Sequence, residues 1–414
     1  KLPAMNKRVL WGLAAISTVT ALLAWKIHRD WTNSQLHLQH ARAAFALGNL
    51  HEARQHGESA VTWFTSRDHT AEAWYISGRA YLEDRQLTRS ERLPMAMELL
   101  TRIPHDSIWY PKTALSIAND KLFEAKSPRD ARQIVDEALL IWPYDTELNQ
   151  WKLIWLTVTK QTTVLESCFK AAANGQAAVA EELLRIWLKS QFLPHDLETA
   201  FDRQLGVAGN QESTTDAIRL ERWTTLRRWN LEEPAYVAAI SEWYLQRGFL
   251  NEALERLREG KATAESSPDP YYLSVSVHAF CESGQVTLAA SLLPSLQQLT
   301  SGYLYSIAAA RVALAQNQRD VAVRELEAAR QNWPGRIDPW LSKTLEKLYH
   351  ENGDEDSVLV AKQLSAERDW LNEQQARLRD VLAKEWDSSD RTWLADFLGR
   401  LNRDLEVDIL KSLP

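Results

Sequence analysis

Between Pro234 and Pro334 one amphipathic hairpin pattern is written three times, and this repetition constrains the fold more than any other stretch. Gly248, Gly284 and Asn317 each sit between two amphipathic runs, and Ala253, Ala289 and Ala322 follow five residues later. The turn-to-turn steps are 36 and 33 residues. That period describes paired helices stacking into a solenoid, because no single pair can bury its apolar face alone. The chain has only 14 glycines, 14 prolines and almost no alternating Val/Ile/Thr runs, so strands have little claim on it. The predicted fold class is all-α, an α-solenoid of helical hairpins. Hydrophobic residues at 45% and charged residues at 25% argue for a folded chain, and a length of 414 residues is reached by adding hairpins to one growing core.

These hairpins resemble the tetratricopeptide repeats (TPR). The resemblance rests on Tyr244, Gly248 and Ala253, on Phe280, Gly284 and Ala289, and on Ala310, Ala322, Ala329 and Pro334. In the N-terminal half it rests on Ala41, Ala44, Gly48, Ala53 and Ala60 with Leu50 and Phe64, and on Trp74, Gly78 and Tyr81. Ala131, Ala138 and Pro143 close a further unit, and the resemblance covers most of residues 34 to 369. It implies small residues where two antiparallel helices touch, and a concave groove lined by the first helix of each hairpin. Carried to matching positions, that groove would present Arg42, Arg79, Glu242, His278 and Arg311. Three arginines would favour an acidic peptide or a carboxylate terminus, unless they pair with neighbouring acids across the stack.

The expected organisation is a cloning scar and basic tail over 1–8, a transmembrane anchor over 9–27, TPR-like halves over 34–205 and 216–369, and capping helices over 370–414. Val9 to Trp25 is 17 residues without a charge, flanked by Trp11 and Trp25 near its ends. It reads as a bilayer anchor, a cleaved signal peptide or a buried core helix, and the absence of a small-x-small cleavage site favours the anchor. Lys7 and Arg8 balance Lys26 and Arg29, so orientation is weakly specified; a basic N-terminal tail retained in the cytoplasm would place the repeats in a bacterial periplasm.

Within the repeats, the polar stretch Glu83–Arg92 is expected to lengthen a turn, with a helix over Pro94–Leu100. Asn174-Gly175-Gln176 before Ala180 reads as another turn, and Leu205–Thr215 as the break between halves. Trp340 and Leu348 begin a hairpin broken at Asn352-Gly353-Asp354. Leu371, Leu378 and Leu382 mark one final helix, and Trp393, Phe397, Leu401 and Leu405 another, after the N-cap sequence Asp387-Ser388-Ser389-Asp390. These last helices would cap the solenoid's exposed end or bind a partner themselves.

Catalytic signatures are absent from the sequence: no phosphate loop, no His-Glu-x-x-His, no Gly-x-Ser-x-Gly and no Cys-x-x-Cys. Cys168 and Cys281 read as small buried hydrophobes. His37 and His40 share a helix face, but His51 and His56 are expected at the far end of the hairpin, so neither metal nor cofactor is predicted. Arg219, Arg222, Arg227 and Arg228 around Trp223 and Trp229 form a possible surface cluster for an acidic segment, against a solvated helix face with buried tryptophan. A net charge of −7 disfavours nucleic acid. The expected function is a non-enzymatic, membrane-anchored scaffold for protein partners of an envelope complex. The alternative is a cytoplasm-facing tethered adaptor that recruits an enzyme or protease.

Overall fold

In the computed structural model the described residues are 7–62, 65–173, 181–207, 215–332, 338–352 and 355–413, the side chains of 7–16, 162–163, 215–216, 339 and 352 excepted. Among the described residues the chain is helical throughout, and it divides into two compact units. The first comprises residues 1–125 and 130–142, the second 126–129 and 143–414.

The first unit runs α1 (Lys7–Ala46), α2 (Leu50–Ala60), α3 (Arg67–Glu83), α4 (Arg89–Leu100), α5 (Tyr110–Asn119) with a π-helical turn at Asp120–Glu124, and α6 (Pro128–Ile141). Small residues set its spacing, as the repeat pattern requires. Ala41, Ala53, Ala60, Ala71 and Ala73 are fully buried. A Cβ on Gly78 would lie 2.6 Å from Cγ of Leu100, itself buried, so α3 and α4 touch at a point only glycine fills. α4 begins earlier than expected, at Arg89 rather than Pro94. Thr88 and Glu91 form a capping box there, and Pro94 sits inside the helix instead of opening it.

α1 is one uninterrupted helix of 40 residues. Its packing begins at Ser34 and Leu38; before them Val19, Leu22, Leu23, Trp25, Ile27 and Trp31 are exposed. Among the described residues no helix is long and apolar enough to cross a membrane. The side chains of Val9–Ile16, half of the expected span, lie outside the described residues.

The second unit continues with α7 (Thr146–Val158), α8 (Thr162–Ala173), α9 (Glu181–Phe192), α10 (Pro194–Leu205), α11 (Thr215–Trp229), α12 (Pro234–Leu245), α13 (Leu250–Ser266), α14 (Pro270–Glu282) and α15 (Val286–Leu299). It ends with α16 (Tyr303–Ala315), α17 (Arg319–Asn332), α18 (Pro339–Asn352), α19 (Glu355–Leu382), α20 (Ser388–Arg400) and α21 (Asp404–Ser412). The pairs α12–α13, α14–α15, α16–α17 and α18–α19 are antiparallel hairpins, and α12, α14 and α16 stack on one another. This is a TPR-like arrangement.

One turn chemistry recurs at the hairpin tips. Gly248 has φ +78°, and the amide of Phe249 donates to the carbonyl of Tyr244, six residues inclusive, which closes the helix in a Schellman turn. The same bond recurs from Asn49 to Ala44, Gln285 to Phe280 and Gln318 to Ala313, around Gly48, Gly284 and Asn317. It also appears around Lys160 and Asn402, where no glycine advertises it. Asn402 corrects the expected final helix. The chain turns there, so Leu405 lies on α21 rather than continuing the row from Trp393.

The C-terminal helices do more than cover a last repeat. α19 is a single helix of 28 residues that begins as the partner of α18 and carries the chain onward. With α20 and α21 it packs on α7, α8 and α9, and one core joins Leu156, Phe169, Leu184 and Trp187 to Leu378, Leu382, Phe397 and Leu410. Polar contacts follow the same route: Trp187 Nε1 donates to Glu406 Oε1 at 2.9 Å, and Arg391 pairs with Glu181 at 3.2 Å. The second unit therefore closes on itself, over sequence separations of about two hundred residues. The proposed break at Leu205–Thr215 lies inside this unit, where Gly206 ends α10 at φ +74° and 208–214 lie outside the described residues. The expected turn at Asn174–Ala180, Phe64, Pro334 and Gly353–Asp354 also lie outside them.

Candidate functional site

Glu242, His278 and Arg311 come from α12, α14 and α16, the stacked first helices of successive hairpins, and the structure brings them into one row. Asp269 starts the sequence Asp-Pro-Tyr-Tyr, caps α14 by accepting from the Tyr272 amide, and so fixes the adjacent Tyr271. Tyr271 is buried and its hydroxyl donates to Glu242 Oε2 at 2.6 Å. Burial, reinforced by the Glu242 charge, pushes that phenol well above its ordinary pKa.

One helix further on, Asp338 caps α18 by accepting from the amides of Trp340 and Leu341, and it also accepts from the Tyr303 hydroxyl. That cap holds Trp340 against α16, where the Arg311 guanidinium stacks on the indole at 3.8 Å from the ring centroid. Arg311 makes no hydrogen bond or ion pair among the described residues. Burial lowers its pKa, while the fields of Asp338, Glu282 and Glu242 act to hold it up. His278, next to it, is pushed down to about 3 by burial and then by the Arg311 charge, so it is a neutral imidazole across the physiological range. Burial pushes the Cys281 thiol up to about 11, which leaves it protonated and a poor nucleophile.

This row sets the Glu242 carboxyl group, a neutral imidazole and an aromatic-backed guanidinium in sequence. It offers directional hydrogen bonds and stacking, the means of recognising a polar chain segment.

The other two expected groove residues lie in the first unit, and each is matched by an acid. Arg42 makes a bidentate pair with Glu72 at 2.5 and 2.7 Å. Arg79 pairs with Glu83 and bonds the Tyr75 hydroxyl at 3.0 Å. The expectation of three arginines on one acidic ligand therefore reduces to Arg311 within the second unit.

The arginine cluster on α11 splits, with Arg222 turned inward and Arg219, Arg227 and Arg228 partly or wholly on the outside. Arg222 is fully buried, between Glu198 at 3.2 Å and Asp202 at 3.4 Å. Lys160 and Arg219 add to Glu198, at 3.0 and 3.5 Å. Arg227 pairs with Glu259 at 2.5 Å, Trp223 is buried, and Arg228 is exposed. The helix buries Trp223 and half-buries Trp229, and its inward arginine is met by two acids of α10, Glu198 and Asp202, that no pattern within α11 announces. Those acids behave oppositely. The cations around Glu198 hold its pKa far below the carboxylate range against the cost of burial, whereas burial raises Asp202 to about 6.

The histidines also differ from expectation. His56 reaches back across the hairpin, its Nδ1 3.0 Å from Nδ1 of His37 and its ring 5.1 Å from that of His40. α1 and α2 run antiparallel in close contact, so His56, a full turn beyond the hairpin tip, lies level with them. Even so, no group of three or more ligating side chains is arranged to hold a metal ion among the described residues. Cys168 and Cys281 are half-buried, and neither is in a disulfide among the described residues.

Among the described residues the chain is all-helical, and its central hairpins stack through their first helices, which carry this row. No family model matches the chain, and no curated protein matches it. Among solved structures, it is similar to the crystal structure of the APC/C hetero-tetramer Cut9-Hcn1, at 13% identity and a TM-score of 0.30, over 92% of this chain and 72% of that one.

Proposed function

We propose that this chain is a protein-interaction scaffold, tethered to a membrane by α1, that holds a segment of a partner along the inner row of its second unit. The observation that carries the reading is that row: Glu242, His278 and Arg311 repeat at one position of three stacked helices, and Trp340 backs the arginine. A scaffold reading also suits a chain without catalytic signatures. The tether is supported by the exposed apolar residues from Val19 to Trp31 on a helix that packs only from Ser34 onward. Trp25 with Arg29 stacked on it at 5.0 Å is the amphipathic pairing favoured at a bilayer surface. We place the repeats in a bacterial periplasm, with subunits of an envelope complex as partners.

The test has two arms. Detergent extraction followed by affinity purification of the wild type and of Arg311→Ala should return a protein partner with the first and at least tenfold less with the second. A cysteine placed near residue 411 in a variant lacking Cys168 and Cys281 should react with an impermeant thiol reagent in intact cells. Protection until lysis would put the repeats in the cytoplasm and favour the adaptor reading.

A further inference from the structure

The closure of the second unit leaves a cavity of about 480 Å³ between α8, α9, the α15–α16 junction, the end of α17 and the α20–α21 turn. It touches none of Glu242, His278 and Arg311, although Tyr303 both lines it and bonds Asp338 behind the inner row, and its walls come from three regions far apart in sequence. Phe169 and Trp187 form one wall, stacked with ring centroids 4.4 Å apart. The charged lining is Glu166, Lys170, Arg403, Asp404 and Glu406. Lys170 is matched by Glu166 at 2.6 Å and Arg403 by Glu406 at 2.6 Å, which leaves Asp404 in excess and the cavity acidic.

Glu406 is the informative residue. It is 5% exposed, yet all three of its hydrogen bonds, from Trp187 Nε1 and from Nε and Nη2 of Arg403, converge on one oxygen, Oε1. The second oxygen, Oε2, accepts none among the described residues. That oxygen is not among the atoms sealed from solvent, so on the wall of the cavity it is an open acceptor that an entering donor can meet without breaking a bond within the protein. A volume of this size fits one small polar molecule or one long side chain with its flanking backbone.

We propose that this cavity binds an organic cation, a guanidinium or primary ammonium, whose N–H groups donate to Glu406 Oε2 and to Asp404 while its apolar stem lies on Trp187. The cation comes either from a free small molecule or from an arginine or lysine side chain of a partner. A guanidinium suits the site better than an inorganic ion because it presents several donors in a plane and tolerates an aromatic wall.

The experiment is calorimetric titration of the full chain in detergent with butylguanidinium, its neutral isostere butylurea, and an acetylated arginine amide. Butylguanidinium is expected to bind, at least tenfold more tightly than butylurea. Glu406→Gln, which keeps an acceptor for Trp187 Nε1, should weaken it at least tenfold. Asp404→Asn, at an exposed position, should weaken it several-fold and keeps the test decisive if the buried variant fails to fold. Binding of the capped arginine as tightly as the free cation supports a partner side chain as the source; binding of the free cation alone supports a small molecule. Equal affinity for butylurea, unchanged affinity in Asp404→Asn, or no binding of either cation at millimolar concentration would overturn the proposal.

Discussion

The central hairpins from α12 to α17 and the closure of α19–α21 on α7–α9 solve the same burial problem in opposite ways. In the hairpins each apolar face is covered by a neighbour in sequence, as when Ala322, Leu326 and Ala329 meet Ala310 and Ala313 across one turn. In the closure, Phe169 and Trp187 share a core with Leu382 and Phe397, about two hundred residues further on. Local cover makes a region that can be damaged locally. Distant cover couples the two ends of the unit, so damage on either side should be felt on the other.

The strongest way to break that contrast is to hollow each region in turn. Phe169→Ala should cost about 3–5 kcal/mol and expose the amides of α20 and α21 to exchange, although the substitution is on α8. Leu326→Ala should cost about 2–5 kcal/mol, with faster exchange confined to α16 through α18. Urea denaturation with amide exchange reads both, and loss of protection confined to α8 in the first variant would remove the distinction.

The junction between the two regions is sharpened by pH. Asp202 has a folded pKa raised to about 6 against an unfolded value near 3.9. Its contribution is thus fully present below the unfolded pKa and is lost as pH rises through about 6. The loss should be about 2–3 kcal/mol, and Asp202→Asn should abolish it. Glu198 works in the other direction: with its pKa depressed, it stabilises above the ordinary carboxylate range and loses that contribution on strong acidification. Denaturation at pH 4, 5, 6 and 8 should show wild type falling relative to Asp202→Asn across the middle of this range. A constant difference between the two would refute the assignment.

Smaller effects come from the repeated turn and from the exposed pairs. Gly284→Ala forces a side chain to φ +73° and should cost about 1 kcal/mol, with no steric term because a Cβ there meets nothing within 4 Å. Arg42→Ala should change stability by no more than about 1 kcal/mol, since the arginine side chain is half exposed. A larger loss at Arg42 would mean that Glu72, which is buried, depends on that partner.

What could be read from the sequence follows the same divide. Gly248, Gly284 and Asn317 announce their turns because the left-handed conformation selects glycine and asparagine, and Ala253, Ala289 and Ala322 announce close helix contact because only small residues fit. Lys160 makes the same turn with no such signal. Pro94 misled because proline usually marks a first helical turn, and here the capping box at Thr88 and Glu91 overrides it. Of the candidate row, Glu242, His278 and Arg311 were legible from repeat register, whereas Trp340 and Tyr271 could have been found from the caps Asp338 and Asp269 that precede them. The burial of Arg222 was not legible, because Glu198 and Asp202 lie on another helix. Closure was the least visible feature: no local pattern encodes which distant surface a terminal helix will cover.

The most direct measurement is a double-mutant cycle between Trp187→Phe and Glu406→Ala, each of which removes one partner of a hydrogen bond that joins two buried residues at 2.9 Å across 219 positions of sequence. Closure predicts a coupling of about 0.5–3 kcal/mol between them. Additivity within about 0.5 kcal/mol would show that the C-terminal helices do not rest on α9, and the closed second unit would have to be abandoned.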